Sequence, residues 1–229
     1  MTFAIWTLVA ATWFGQVKIE SKKPLKPGQV LTTFNFDKDK VGELPGQWRN
    51  RGAVLGKKIA EWQVVADDTA PSQPNALALT KLAEDPTGYN LVLIKELRAR
   101  VFNFTVRIKP VSGKEDQGGG IIWRAVDDEN YYMARINPLE RNFRVYKVVD
   151  GKRTQLGSVD VETNTDTWYT MQVISLGNGF LCTLDRTWTI EISDTTFPEP
   201  GLLGLWTKAD AMSIFDDVEI IVKDKPATP

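Results

Sequence analysis

Histidine is absent from this 229-residue chain, and cysteine occurs once, at Cys182. Without imidazole there is no Ser-His-Asp or Cys-His nucleophile system, no histidine general base, no histidine-held zinc or haem, and no pH switch built on that side chain. One cysteine makes neither an internal disulfide nor a thiolate zinc site. An excess of charge of either sign is also missing. With 28 basic and 29 acidic residues the net charge is -1, which gives no global electrostatic reason to bind nucleic acid. Helical periodicity, fixed-period repeats and low-complexity tracts are lacking as well. Any catalysis must therefore rest on Asp, Glu, Lys, Tyr, Ser or Arg. What the chain does have is eight tryptophans, a residue used either as core or as a flat recognition surface.

The amino terminus stands apart. Residues Phe3 to Phe14 read FAIWTLVAATWF, without a charge, and Lys18, Lys22, Lys23 and Lys26 follow in a Pro-containing stretch. Only Met1 and Thr2 precede the run, so the positive region that opens a signal peptide is missing, although Val9-Ala10-Ala11 would serve as a cleavage site. The run is also shorter than the roughly 20 apolar residues that span a bilayer. The signal-peptide reading is thereby weakened, and two others stand beside it. In one, Phe3, Ile5, Trp6, Leu8, Trp13 and Phe14 dock the chain to a membrane surface or a membrane-associated protein complex, with Trp6 and Trp13 suited to the interface. In the other, the run packs on the chain's own domain as a first strand or short helix. The docking reading carries an extracytoplasmic, periplasmic and membrane-associated location, against which the following lysines argue through the positive-inside bias. The partition is an apolar arm and Lys/Pro linker over 1–29, one domain over 30–223, and a polar tail over 224–229.

From residue 30 onward short apolar or alternating runs recur every 10 to 14 residues, with turn residues between them. They predict strands over Val30–Phe36, Trp62–Val65, Ala76–Lys81, Leu91–Lys95, Val101–Lys109, Gly120–Val126, Tyr131–Asn137, Phe143–Val149, Trp168–Ser175, Phe180–Asp185, Trp188–Ile192, Leu202–Thr207 and Ser213–Val222. Asp150-Gly151 and Gly177-Asn178-Gly179 supply the positive φ of hairpin turns, so the strands flanking them pair. The expected architecture is all-β: a two-sheet antiparallel β-sandwich of jelly-roll type.

Several motifs are more specific. The run Asp116-Gln117-Gly118-Gly119-Gly120-Ile121-Ile122-Trp123-Arg124, then Asn130 through Glu140 (NYYMARINPLE), then Asn142 through Arg153 (NFRVYKVVDGKR) resembles the bacterial 3-keto-disaccharide hydrolase-like family. Thr195-Thr196-Phe197-Pro198, Gly204 through Asp210 and Phe215-Asp216-Asp217-Val218 resemble its closing stretch, and Phe34-Asn35-Phe36-Asp37 its opening. The resemblance covers residues 30 to 222 and implies a concanavalin A-like lectin/glucanase sandwich, related to laminin-G-like domains, in an exported protein that handles carbohydrate. Two positions depart from the pattern. Trp168-Tyr169 stands where Trp-His is usual, and Leu184-Asp185-Arg186 where a Leu-Asp-Gly hairpin is usual.

On a strand alternate residues share a face, so Met133, Arg135 and Asn137 lie opposite Tyr132, Ala134 and Ile136, and Arg144 and Tyr146 lie opposite Phe143, Val145 and Lys147. If the polar faces line one concave sheet, Trp123, Arg124, Arg135, Asn137, Arg144, Tyr146, Trp206 and Lys208 form a candidate ligand-binding set. Aromatic faces would meet pyranose rings, and Arg or Asn forks would bond hydroxyls. The alternative is a solvated sheet on which these arginines pair with Asp116, Asp127, Asp128, Glu129 or Glu140 while the tryptophans are core. Glycoside hydrolysis needs two carboxylates roughly 5 to 9.5 Å apart. Asp116, Glu140, Asp210, Asp216 and Asp217 are available, no pair stands out, and the Glu-x-Asp-x-x-Glu arrangement of sandwich glucanases is missing. Asp37, Asp216 and Asp217 could ligate a structural calcium where the first and last strands meet, and no other cofactor is expected. Gly118-Gly119-Gly120 is no phosphate loop, since a strand and not a helix follows, and it fits a close backbone approach. Cys182 fits a small buried residue. Two function classes follow: a non-catalytic interaction module serving as accessory subunit of a membrane-associated assembly through its arm, or a carbohydrate-binding or 3-keto-glycoside-hydrolysing exported protein.

Overall fold

Period-2 alternation of apolar residues gives each strand one face for a shared interior, and two sheets stack on those faces. The computed structural model describes residues 25–52, 59–84 and 88–223, and within them there are fifteen strands and no helix. Sheet A orders β13 (Trp188–Ser193), β12 (Gly179–Leu184), β11 (Tyr169–Leu176), β6 (Phe102–Ser112), β15 (Met212–Lys223), β4 (Asn75–Lys81) and β3 (Glu61–Ala66), with β1 (Gln29–Phe34) paired to the second half of β15. Sheet B orders β10 (Lys152–Asp160), β9 (Asn142–Val149), β8 (Tyr131–Asn137), β7 (Gly119–Ala125), β14 (Gly201–Lys208), β5 (Tyr89–Ala99) and β2 (Trp48–Gly52). All neighbours are antiparallel. The expected all-β sandwich is thus the observed fold. The arm residues Phe3, Ile5, Trp6, Leu8, Trp13 and Phe14 lie outside the described residues.

The two hairpins expected from turn chemistry are present. Asp150 (φ 48°) and Gly151 (φ 72°) turn β9 into β10, and Gly177 (φ 69°) opens the turn from β11 to β12. Between the sheets sits a continuous core that includes Trp48, Trp62, Trp123, Phe104, Tyr132, Phe143, Phe180 and Phe215. Trp123 stacks on Tyr132 at 5.7 Å and meets Phe180 edge-on at 5.4 Å. Side chains of this size each contribute about 1.5–3 kcal/mol when fully buried, so the interior has ample driving force to close the sandwich. Cys182 lies in this core, its thiol pushed up by burial.

A second apolar cluster lies on the other face of sheet B. Leu91, Leu93, Ile122, Ala125, Tyr131, Met133, Tyr146, Val148, Leu202 and Trp206 alternate along their strands with the core residues and so point away from sheet A. None is more than 4% exposed. This outer face holds the candidate site.

Candidate functional site

Register places most of the expected residues in one row across sheet B. Arg144 on β9 is opposite Arg135 on β8, Arg135 is opposite Gly120 on β7, Gly120 is opposite Trp206 on β14, and Trp206 is opposite Leu91 on β5. Alternation puts Asn137, Tyr146 and Lys208 on the same face, two residues from Arg135, Arg144 and Trp206. Six of the eight expected residues therefore converge: Arg135, Asn137, Arg144, Tyr146, Trp206 and Lys208.

Trp123 and Arg124 do not join them. Trp123 pairs with Tyr132 and belongs to the inter-sheet core. Strict alternation would put Arg124 on the outer face, but β7 carries a bulge. Ile122 faces Gly204 and Ala125 faces Leu202, so three steps on β7 match two on β14. Arg124 takes up the extra step at φ 50°, and Ala125 occupies the outer position instead. The Arg124 guanidinium, fully buried, donates to Phe197 O (2.8 Å), Arg100 O (3.3 Å), Ser175 Oγ (3.2 Å) and Gly177 O, and lies 4.9 Å over the Phe180 ring. Burial, with help from Arg100, pulls its pKa down to about 10. This is a pin between loops, not a ligand contact.

At the opposite end of the face the polar residues form one network centred on Glu140. Its carboxylate accepts from Arg135 Nη2 (2.8 Å), Arg144 Nη1 (2.9 Å), Asn137 Nδ2 (3.3 Å) and Asn142 Nδ2 (3.3 Å). Arg135 also donates to Asn142 Oδ1 (2.9 Å) and the Tyr146 hydroxyl (3.3 Å), and Arg144 donates to Ser158 Oγ (3.2 Å). Burial alone would raise the Glu140 pKa, but Arg135, Asn142 and Arg144 outweigh it and hold the carboxyl below its ordinary value. Asn137 links this network to Asp116, whose carboxylate accepts from Asn137 Nδ2 (3.0 Å) and Gly118 N (2.6 Å) and lies 3.5 Å from Lys208 Nζ.

The glycine run is what lets these groups meet. A Cβ at Gly118 would stand 2.6 Å from Asp116 Oδ1 and 3.0 Å from Arg135 Cδ, and one at Gly120 would stand 1.9 Å from the Ala134 carbonyl oxygen. The close approach expected of Gly118-Gly119-Gly120 is present. The expected ion pairing is present too, with Glu140 rather than the Asp127–Glu129 turn as the main acid.

The side chains of Arg144, Glu140 and Lys208 remain 30%, 36% and 28% exposed, while Arg135, Asn137 and Asp116 beneath them are fully buried. Arg135 Nε, Asp116 Oδ2 and Trp206 Nε1 are buried without a hydrogen-bond partner. The accessible rim thus offers two cationic donors around one carboxylate acceptor, fixed from below. Several residues of this face escaped the sequence reading: Tyr131, Leu91, Leu93, Arg51 opposite Leu91, and Arg153, whose guanidinium lies 4.4 Å over the Tyr146 ring. The period-2 rule that found Met133, Arg135 and Asn137 would have found Tyr131, Leu91 and Leu93 had it been extended along those strands.

The other expected acids are elsewhere. Asp216, in sheet A, accepts from Ser72 N (2.9 Å) and Asp217 N (2.7 Å), and burial raises its pKa to about 6. Asp210 caps the backbone N–H groups of Lys114, Glu115 and Asp116. Asp37 accepts from Asn35 Nδ2. Among the described residues no three carboxylates gather into a metal-binding group, and no helix is long and apolar enough to cross a membrane.

Solved structures with the same arrangement are numerous. The carbohydrate binding module CBM66 from Bacillus subtilis superposes with TM-score 0.59 at 17% identity, over 76% of this chain and 94% of that one. The β-glucanase of Bacillus licheniformis gives 0.53 at 12%, over 83% and 97%. A Bacillus subtilis protein of unknown function with a galectin-like fold gives 0.51 at 12%, over 77% and 90%. The chain has the galectin-like, concanavalin A-like sandwich fold. No family model matches it, and no curated protein does.

Proposed function

We propose that this protein is a glycan-binding sandwich whose ligand meets the rim of sheet B at Glu140, Arg144 and Lys208. The observation that carries the reading is the Glu140 carboxylate held between Arg135 and Arg144 on an outer sheet face, with its exposed edge still available. A sugar presents vicinal hydroxyls that both donate and accept. Glu140 accepts from one while Arg144 or Lys208 donates to its neighbour, and Arg135, Asn137 and Asn142 keep those groups in place. Two of the similar folds bear carbohydrate-handling names, the binding module and the β-glucanase, which fits this reading. Binding is favoured over bond-breaking by the charge state of the face. A glycosidase needs one carboxyl kept neutral as general acid, whereas Glu140 is held ionised and the raised carboxyl, Asp216, belongs to sheet A. The accessory-subunit reading rests on arm residues outside the described ones. The test is calorimetric titration of the full chain against a panel of oligosaccharides, including ordinary and 3-keto disaccharides, with product analysis on the same samples. Saturable binding that is lost in Glu140→Gln and Arg144→Ala supports the proposal, and silence across the panel sinks it.

A further inference from the structure

Arg51, Arg135, Arg144, Arg153 and Lys208 share the outer face of sheet B, and four of these five cations have an acid. Arg135 and Arg144 both pair with Glu140, at 2.8 and 2.9 Å, Arg51 bonds Asp128 at 2.8 Å, and Lys208 stands 3.5 Å from Asp116. Arg153 is the exception. Among the described residues no carboxylate pairs with it, and its Nη1 donates to nothing. A half-buried guanidinium has five N–H donors to satisfy, so an unanswered one lacks an anion.

The register explains where this group stands. Arg153 on β10 is opposite Val148 of β9, a residue of the outer-face cluster. From there its guanidinium lies 4.4 Å over the Tyr146 ring, and the hydroxyl of that ring accepts from Arg135 (3.3 Å) and Arg144 (3.4 Å). Stacking fixes the plane of the Arg153 group and leaves its N–H edge free to donate. Burial raises the pKa of the Tyr89 and Tyr131 hydroxyls, and the Arg153 charge opposes it at both, so the guanidinium is within electrostatic reach of the aromatic residues as well. Three arginines therefore gather around one tyrosine ring with a single carboxylate, Glu140, bonded to two of them, while Asp160 acts on Arg144 from farther off. The excess is local, since the whole chain carries a net charge of -1.

We propose that the glycan is acidic: Arg153 takes its anionic group, a uronate carboxylate or a sulfate ester, while Glu140 and Arg144 hold neighbouring hydroxyls. This assignment rests on the glycan reading and narrows its ligand class. A planar fork of N–H donors bonds two oxygens of a carboxylate or sulfate at once, which a lone hydroxyl does not offer. Arg135 and Arg144 already spend their forks on Glu140 and its neighbours, whereas Arg153 has its fork to give. Arg144 and Arg153 both touch the Tyr146 side chain, so one or two sugar residues reach from one to the other.

The experiment titrates the full chain calorimetrically with a galacturonate oligomer, with its carboxyl-reduced counterpart of the same length and linkage, and with a sulfated galactose oligomer. At least one acidic oligomer should bind about tenfold more tightly than the neutral one at about 0.05 M NaCl, and the advantage should shrink at about 0.5 M. The acidic oligomer that binds names the anion. Arg153→Gln should erase the advantage and leave affinity for the neutral oligomer within about twofold, and Arg153→Lys, which keeps the charge without the fork, should restore only part of it. The salt comparison uses the unmodified chain, so it reads the anion preference even where a variant fails to fold. Equal affinity for acidic and neutral oligomers overturns the proposal and leaves the glycan reading standing, whereas silence with all three removes both. An acidic preference that survives in Arg153→Gln, or that is indifferent to salt, also overturns it.

Discussion

Arg135 and Glu140 form an ion pair at 2.8 Å whose two halves live in different surroundings: the guanidinium has no exposed surface and the carboxylate is 36% exposed. The pair is therefore asymmetric in what each partner needs. Glu140 has water as a substitute, whereas Arg135 has this carboxylate, Asn142 and Tyr146 as its hydrogen-bonding partners. Glu140→Gln leaves a buried charge without its counter-ion and should cost about 1–2 kcal/mol after allowance for solvent screening, or about 2–8 °C in Tm. The folded-state pKa of Glu140 is lowered, so its contribution is complete above the unfolded value and is lost as pH falls through the folded one. Thermal unfolding at pH 7 and at pH 3 measures both effects: the gap between wild type and variant should shrink at the lower pH.

Asp216 predicts the opposite slope at milder pH. Its pKa rises from 3.8 to about 6, so the folded state takes up a proton that the unfolded chain does not hold between those values. Lowering the pH from 7 to 5 should therefore stabilise the protein, by about 1 kcal/mol. Asp67, Glu140, Asp194 and Asp210, all held below their ordinary values, oppose this only at lower pH. Urea unfolding as a function of pH checks it, and Asp216→Asn should flatten the curve between pH 5 and 7.

Two arginines of sheet B, Arg124 on β7 and Arg144 on β9, separate scaffold from surface. Arg124→Leu takes a buried donor from the carbonyls of Phe197 and Gly177, while Arg100 O keeps the Ser175 hydroxyl, and should lower stability by about 3 kcal/mol. The folded fraction should bind any sugar ligand as the wild type does. Arg144→Ala should show the reverse, a Tm within about 2 °C of wild type and at least about tenfold weaker binding. Differential scanning calorimetry with titration of the same samples distinguishes them.

The turn from β12 to β13 holds Asp185 at φ 48° and Arg186 at φ 58°. A non-glycine side chain at positive φ costs roughly 1–2 kcal/mol, a cost that glycine does not carry. Arg186→Gly should raise stability by about 1 kcal/mol, visible as a Tm gain of about 2–4 °C.

Much of the fold was legible because burial writes itself at period 2. All thirteen expected strands are present, and Met133-Arg135-Asn137 and Arg144-Tyr146 fall on the shared face that alternation assigned. Two strands fall outside the expected thirteen: β10, Lys152–Asp160, implied only as the partner across the Asp150-Gly151 turn, and β2, Trp48–Gly52 (WRNRG), an edge strand with one core residue and so no alternation to read. Arg124 was misplaced because a bulge inserts a residue that no local pattern announces, as the register with β14 depends on distant sequence. The Glu140 network was half legible. Its members sit close together in sequence, but that one carboxylate would serve two arginines and two asparagines depends on the β8–β9 register.

The last two of the described strands, β14 and β15, lie in the interior of sheets B and A, and β15 pairs with β6, β4 and β1. A ribosome therefore delivers the central staves of both sheets after everything they must join. Until then β5, β6 and β7 have no neighbour on one side, and each sheet exists only as unjoined parts. Assembly of this sandwich is consequently a late event, completed when residues 201–223 leave the exit tunnel, and a nascent chain stalled before that point is a natural client for a holding chaperone.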